Sequence, residues 1–236
     1  MNLKGISLGP TSSRLNHAKI ETTLLLHSSN RKTGDCNHTL YLPQESIYEA
    51  IKTGSDESVC GGCELKPSKA GICYEDPRWI SNVQKQEYPH IDDLSKGQKA
   101  YLDLRLKYRL TRLGSMGDPA SDTRHIDMLT KHKSVGYTSQ WRNKQHADLK
   151  SVCMASVHTP AGYDRANDNK WRTFRIKTED EPLFKGEVLC PYPKKQCQDC
   201  GLCDGLKSPN KPNIAVNIHG LKHKINNYLK LRGISE

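Results

Sequence analysis

The segment best suited to chemistry is Cys197-Gln-Asp-Cys200-Gly-Leu-Cys203, with Cys190-Pro191 a short way upstream. Two-residue gaps let successive thiolates turn onto one centre, and Gly201 lets the backbone come close to the sulfurs. Structural zinc usually takes two separated knuckles, whereas a triple run with a distant fourth cysteine matches a ferredoxin-type cluster motif. The expectation is therefore a four-iron cluster on Cys190, Cys197, Cys200 and Cys203, with zinc as the alternative, since both take four thiolates.

A second group is Cys60-Gly-Gly-Cys63 followed by Cys73, spaced C-x2-C-x9-C. Three thiolates can hold a four-iron cluster and leave one iron open to a substrate or cofactor. Alternatively Cys36 or His38 closes the site, and a zinc knuckle fits equally. Cys153 lies inside an apolar run and reads as a buried, inert thiol.

The elements that must position these groups alternate along the chain. Residues 19–27 read as a buried strand, 28–34 as a basic loop and 39–42 as a short strand ending at Pro43. Helices are expected at 45–52 and 97–109. Beyond residue 109, short apolar runs at 110–113, 135–138, 152–157, 173–176, 188–189 and 214–218 are separated by polar stretches such as 122–132 and 142–150 of helical character. That alternation predicts successive βα units: an α/β fold with a parallel (β/α) barrel, complete or incomplete, carrying cysteine-rich metal-binding loops. One domain over residues 1–236 is expected, with residues 60–73 and 190–205 as the metal-binding insertions.

Polar side chains recur where the predicted strands end, which is where parallel α/β folds build active sites. Gly114-Ser-Met-Gly117-Asp118-Pro119 could admit a phosphate or adenosyl ligand to the backbone, with Asp118 holding a hydroxyl; the plain alternative is a tight turn with Asp118 capping a helix. Gln140-Trp141-Arg142 offers polar groups and a stacking face for a base-like ligand, against the alternative of a half-buried tryptophan. His158 and His219 are candidates for acid–base work or metal ligation, against ordinary hydrogen-bonded roles. In Trp171-Arg-Thr-Phe-Arg175 one arginine is expected to face a functional surface. The working set is thus Asp118, Gln140 and His158 for catalysis and Gly114, Gly117, Trp141 and Arg175 for cofactor binding, beside the seven clustered cysteines. Residues 221–232 read as a basic amphipathic helix packed on the body.

The net charge of +10 favours anionic partners: nucleic acid, nucleotides or phosphorylated metabolites. No apolar run is long enough to span a bilayer, and no apolar segment follows Lys4 as a secretion signal requires. Nine cysteines in such a chain point to a reducing cytoplasm and to metal rather than disulfides.

Taken in order, Asn30-Arg-Lys-Thr-Gly34, Cys60-x2-Cys63, Gly71-Ile-Cys73-Tyr74, Gly114-Ser-Met-Gly-Asp-Pro119, Gly136-Tyr-Thr-Ser-Gln-Trp141, Met154-Ala-Ser-Val157, Trp171-Arg-Thr-Phe-Arg175 and Cys197-x2-Cys200-Gly-Leu-Cys203-Asp-Gly205 resemble a family of bacteriophage and mobile-element proteins. The likeness spans roughly residues 30–220. By architecture that family is distantly similar to radical-SAM enzymes, which use an α/β barrel, an open four-iron cluster and often a second cysteine group near the C-terminus. The resemblance implies radical-SAM-like chemistry with S-adenosylmethionine, a nucleotide-like or phosphate-bearing substrate, and a host-cell cytoplasm. The usual radical-SAM spacing, C-x3-C-x2-C, is not the spacing of Cys60, Cys63 and Cys73. A zinc-stabilised protein that binds nucleic acid or a host factor without catalysis is the competing expectation.

Overall fold

The computed structural model describes residues 3–27, 30–208 and 210–234. The chain opens with the antiparallel pair β1 (Gly5–Ser12) and β2 (Lys19–Leu25), whose apolar residues Ile6, Leu8 and Leu24 are buried. β3 (Asn37–Pro43) pairs antiparallel with β2 and is buried along its length. α1 (Ile47–Thr53) starts where Ser46 Oγ accepts from the Glu49 N–H, and stops at Gly54 in the left-handed region, φ 82°. α2 (Glu57–Cys60) and α3 (Pro77–Gln84) follow, the latter opened by Asp76-Pro77. α4 (Lys96–Tyr108) begins with a capping box between Ser95 and Gln98. Strands and helices then alternate: β4 (Thr111–Met116), α5 (Ile126–Thr130), β5 (Ser134–Thr138), β6 (Met154–Val157), α6 (Pro160–Asp168), β7 (Thr173–Lys177), β8 (Glu187–Leu189), α7 (Cys197–Cys200), β9 (Asn213–Asn217) and α8 (Lys222–Leu231).

Among the described residues nine strands form one sheet in the order β1-β2-β3-β4-β5-β6-β7-β9-β8. Every pairing from β3 onward is parallel, so the sheet is mixed but mostly parallel, and the chain is an α/β protein as its alternation predicts. Several elements escape the sequence reading, β1, α3 and α6 among them. β1 is disguised by Gly5, Gly9 and Pro10, and Gly9 (φ 84°) sits at an irregularity in its pairing with β2. α6 is announced only by Thr159-Pro160, whose hydroxyl accepts from Gly162 N. Residues 142–150, expected as a helix, instead form 3-10 turns kinked at His146 (φ −109°, ψ 17°). Of the basic loop 28–34, Ser28 and Ser29 lie outside the described residues. Among the described residues no helix is long and apolar enough to cross a membrane.

The two sheet faces are covered differently. On one, Leu113, Ala155 and Val157 pack with Leu102 and Leu106 of α4, Leu129 of α5, and Tyr163 and Ala166 of α6. On the other, Leu40 and Met116 lie under Ile47, Val59, Ile80 and Val83 of α1–α3, and Ile176 and Val216 lie under Ile72 and Tyr228. The Tyr228 hydroxyl donates to the Ile176 carbonyl at 2.7 Å, pinning α8 to β7. Val135, on the same face, packs with Cys36, Cys197 and Cys203. His38, Arg112 and Val135 are register partners on β3, β4 and β5, and the rings of Tyr137 and Phe174 meet at 4.2 Å, so this second face is one continuous surface. Both cysteine segments lie against it.

Candidate metal centre

The C-terminal cysteines come from a strand end, a helical turn and a loop. Cys190 follows β8, and its N–H donates to the Ala215 carbonyl of β9 at 2.7 Å. One turn of α7 sets Cys197 and Cys200 three residues apart on the same side. Gly201 (φ 60°) ends that turn in the left-handed region and swings the chain back to Cys203. The four cysteines line a single cavity of about 30 Å³ together with Val135, Tyr137, Phe174 and Ile214. Among the described residues no three Cys, His, Asp or Glu side chains already close on one point as a single bound ion requires.

This segment is held from two sides. On one, the loop before β3 receives it: Cys197 N donates to Lys32 O at 3.0 Å, Gln198 N to Thr33 O at 3.1 Å, and Asp35 N to Gln198 Oε1 at 2.8 Å. A side chain at Gly34 would put its Cβ 2.4 Å from the Gln198 side chain, which requires glycine there. Asp35 is fixed in turn by a two-pronged bond from Arg105, at 2.8 and 2.9 Å. On the other side, the Arg172 guanidinium donates to Asp204 Oδ1 at 2.8 Å and to the carbonyls of Leu202, Gly205 and Pro212. The sequence pointed to one arginine of Trp171–Arg175 at a functional surface. Arg172 points at the cysteine loop, while Arg175, the arginine assigned to cofactor binding, is engaged by Glu187.

Burial makes two of these thiols less acidic. Burial pushes Cys203 up to about 12, although the Tyr137 hydroxyl bonds to it, and burial also raises Cys197 against the pull of Arg112 and Lys32. A bound cation would offset this, because a coordinating thiol gives up its proton to the metal's charge.

The first cysteine group is assembled by α2 and the loop after it. Asp56 is fully buried, and its carboxylate accepts from the Ser68 backbone at 3.1 Å and from the Ser68 hydroxyl, with Lys66 Nζ at 3.5 Å. Cys73 N donates to Leu65 O at 2.8 Å, closing the loop on itself. Cys60 and Cys63 both lie within electrostatic reach of Cys73. Burial raises all three thiols, Cys73 to about 11. Cys36 is not a fourth donor here: it packs beside Cys197 and Cys203, and its thiol donates to Thr33 O at 3.0 Å. Nor is His38, whose Nδ1 is 2.7 Å from Ser115 Oγ. Cys153 is fully buried with its thiol raised well above the usual range, the inert state expected of it.

The residues expected at strand ends do gather around this first group, though several are engaged within the chain. The Asp118 carboxylate accepts from Ala120 N, Thr138 Oγ1, Ser139 N and Ser139 Oγ, at 2.7 to 3.0 Å. Burial nevertheless pushes its carboxyl upward. Its backbone N–H donates to Val59 O at 2.6 Å, so Asp118 ties the ends of β4 and β5 to the helix carrying Cys60. Gln140 Nε2 donates to Cys60 O at 3.1 Å, and Ser139 bonds the Cys63 thiol. His158, at the end of β6, meets the Glu64 carboxylate at 2.5 Å, and that contact holds Glu64 below the usual carboxylate range.

Gly114 (φ 64°) and Gly117 (φ 77°) serve close packing: a Cβ on Gly117 would fall 2.8 Å from Tyr41 Cβ. Trp141 is buried, its Nε1 donating to Ser156 O at 3.0 Å with Arg142 over its ring. Arg175 is 1% exposed and bonds Glu187 at 2.8 and 2.7 Å. Sequence reasoning gave no role to Asp56, Ser139 or Tyr137; the last two lie within the Gly136–Trp141 motif, but only the fold brings them to the cysteines. His219 stacks on Tyr74, ring centroids 4.7 Å apart, next to the first cysteine group rather than in a separate site. Comparison with protein-family models, with curated proteins and with solved structures finds no match to this chain.

Proposed function

We propose that this chain is an iron–sulfur protein built on an incomplete (β/α) barrel. Cys190, Cys197, Cys200 and Cys203 would hold one four-iron cluster, and Cys60, Cys63 and Cys73 a second with one iron open. The proposed activity is radical-SAM-like chemistry, with S-adenosylmethionine, on a nucleotide-like or phosphate-bearing substrate. The observation that supports the reading is that four cysteines line one cavity. The donor set fits, because soft thiolates with aliphatic and aromatic walls suit iron–sulfur clusters or zinc, not hard cations.

A bound cluster would supply electrons singly, which no side chain here does. The chain's own residues do the rest. Arg172 and the loop at residues 31–36 hold the second cysteine group in place. Asp56, Asp118 and Gln140 hold the first. Gln140 and His158 stand beyond the carboxyl ends of the neighbouring strands β5 and β6, where a substrate would meet the first group, and the net charge of +10 favours an anionic one.

The test is anaerobic purification with iron, zinc and labile-sulfide analysis, an absorption spectrum, and an assay for cleavage of S-adenosylmethionine. Brown protein with iron, sulfide and a broad band near ~400 nm supports the reading. Colourless protein with stoichiometric zinc and no sulfide would overturn it, in favour of a zinc-stabilised protein that binds nucleic acid or a host factor.

A further inference from the structure

Arg112 stands on β4 between the two cysteine groups. It is half-buried, and its guanidinium makes no hydrogen bond or ion pair with any described residue. A half-buried guanidinium with no carboxylate partner keeps its donor fork open to an anion from outside the chain. Its surroundings are known from the charges that feel it: Cys36, Cys197 and Tyr137 on one side, Glu75 on the other, and His38 beside it in register on β3. Glu75 feels this charge but forms no ion pair with it.

A second polar group on the same row is also unsatisfied. His38 is 5% exposed, its Nδ1 is engaged by Ser115, and its Nε2 has no partner. In the tautomer in which the Ser115 hydroxyl donates to Nδ1, the proton sits on Nε2, which is then a donor. Lys32 adds another cation: it reaches the second cysteine group and lies 3.4 Å from His219. Cationic and donor groups thus gather on this side of the sheet, and among the described residues none of them is in an ion pair with a carboxylate.

We propose that Arg112, with His38 beside it, is an oxyanion-binding site that takes a carboxylate or phosphate group of a ligand lying between the two cysteine groups. The planar fork of the guanidinium accepts either group in a two-pronged bond, and His38 Nε2 supplies a third donor. The site itself needs no metal; its use as a substrate anchor rests on the function proposed above.

The test is calorimetric titration of the purified full chain with inorganic phosphate and, separately, with acetate. Wild type is compared with Arg112→Gln, Arg112→Lys and His38→Gln. Metal content, sulfide content and thermal melting are measured on the same samples. Saturable binding of phosphate, acetate or both by wild type, weakened about 10- to 100-fold in Arg112→Gln as for a lost charge-assisted bond, supports the site. Arg112→Lys should fall between them, since it keeps the charge and loses the fork. Binding of phosphate alone points to a phosphate-bearing ligand, and of acetate alone to a carboxylate. Absence of binding to wild type, or equal binding by a folded Arg112→Gln protein, would overturn the site. Arginine-dependent binding in protein without iron would leave the site standing and remove the cluster reading.

Discussion

Arg172 and Asp204 meet at 2.8 Å with side chains only 5% and 11% exposed, directly after the last cysteine of the second group. The same guanidinium spans carbonyls on both sides of Asp204, so one side chain just before β7 fixes the whole return of the loop to β9.

Arg172→Ala should therefore destabilise the fold by about 3 kcal/mol, the lower end for breaking a buried pair, because Lys211 still holds Asp204. Urea unfolding measures this. Metal should be lost from the second group at chelator concentrations that leave the first group loaded. Equal retention by both groups would show that Arg172 does not organise the site.

Gly205 (φ 64°) brings that loop against the turn before β6, and a Cβ there would fall 2.6 Å from the Cys153 backbone nitrogen. Gly205→Ala meets both a disfavoured backbone region and backbone atoms that cannot yield. A loss of about 2–3 kcal/mol is expected in chemical denaturation. A change under half a kilocalorie, roughly the scatter of neutral surface substitutions, would contradict the packing described.

His38 carries a pH dependence that can be isolated. Burial, then the nearby Arg112, holds its imidazole down to about 4 from 6.5. The unfolded chain takes up the proton first as pH falls, so the stability His38 contributes is present above pH 6.5 and is lost between 6.5 and about 4. His38→Gln should flatten the stability curve by about 3 kcal/mol over that window, the equivalent of the shift at 1.36 kcal/mol per unit. Matching wild-type and variant curves from pH 7 to pH 4 would rule this out.

The sheet and the cysteine groups were legible for one reason: both are local patterns. Val135–Thr138 and Thr173–Ile176 are short apolar runs in polar sequence, and two-residue spacing announces Cys197, Cys200 and Cys203. The partners that hold them were not legible, because they are far apart in sequence. Asp35 and Gln198, or Arg172 and Leu202, meet only once the sheet is formed. Asp118 shows the same limit in reverse. As a strand-end carboxylate it reads as a catalyst, but only the fold reveals that its oxygens are taken by Ala120, Thr138 and Ser139. Arg112 carried no signal at all, since an unpaired arginine is visible only against its neighbours.

The measurement that tests the central claim most directly is iron and labile sulfide per chain in anaerobically purified wild type, Cys200→Ser and Cys63→Ser, with melting curves to confirm folding. Two separate thiolate-held clusters predict that each variant loses one cluster's worth of iron and sulfide and keeps the other, while only Cys63→Ser loses activity toward S-adenosylmethionine. Wild type carrying zinc without sulfide, or either single variant losing all of its iron while still folded, would contradict the account.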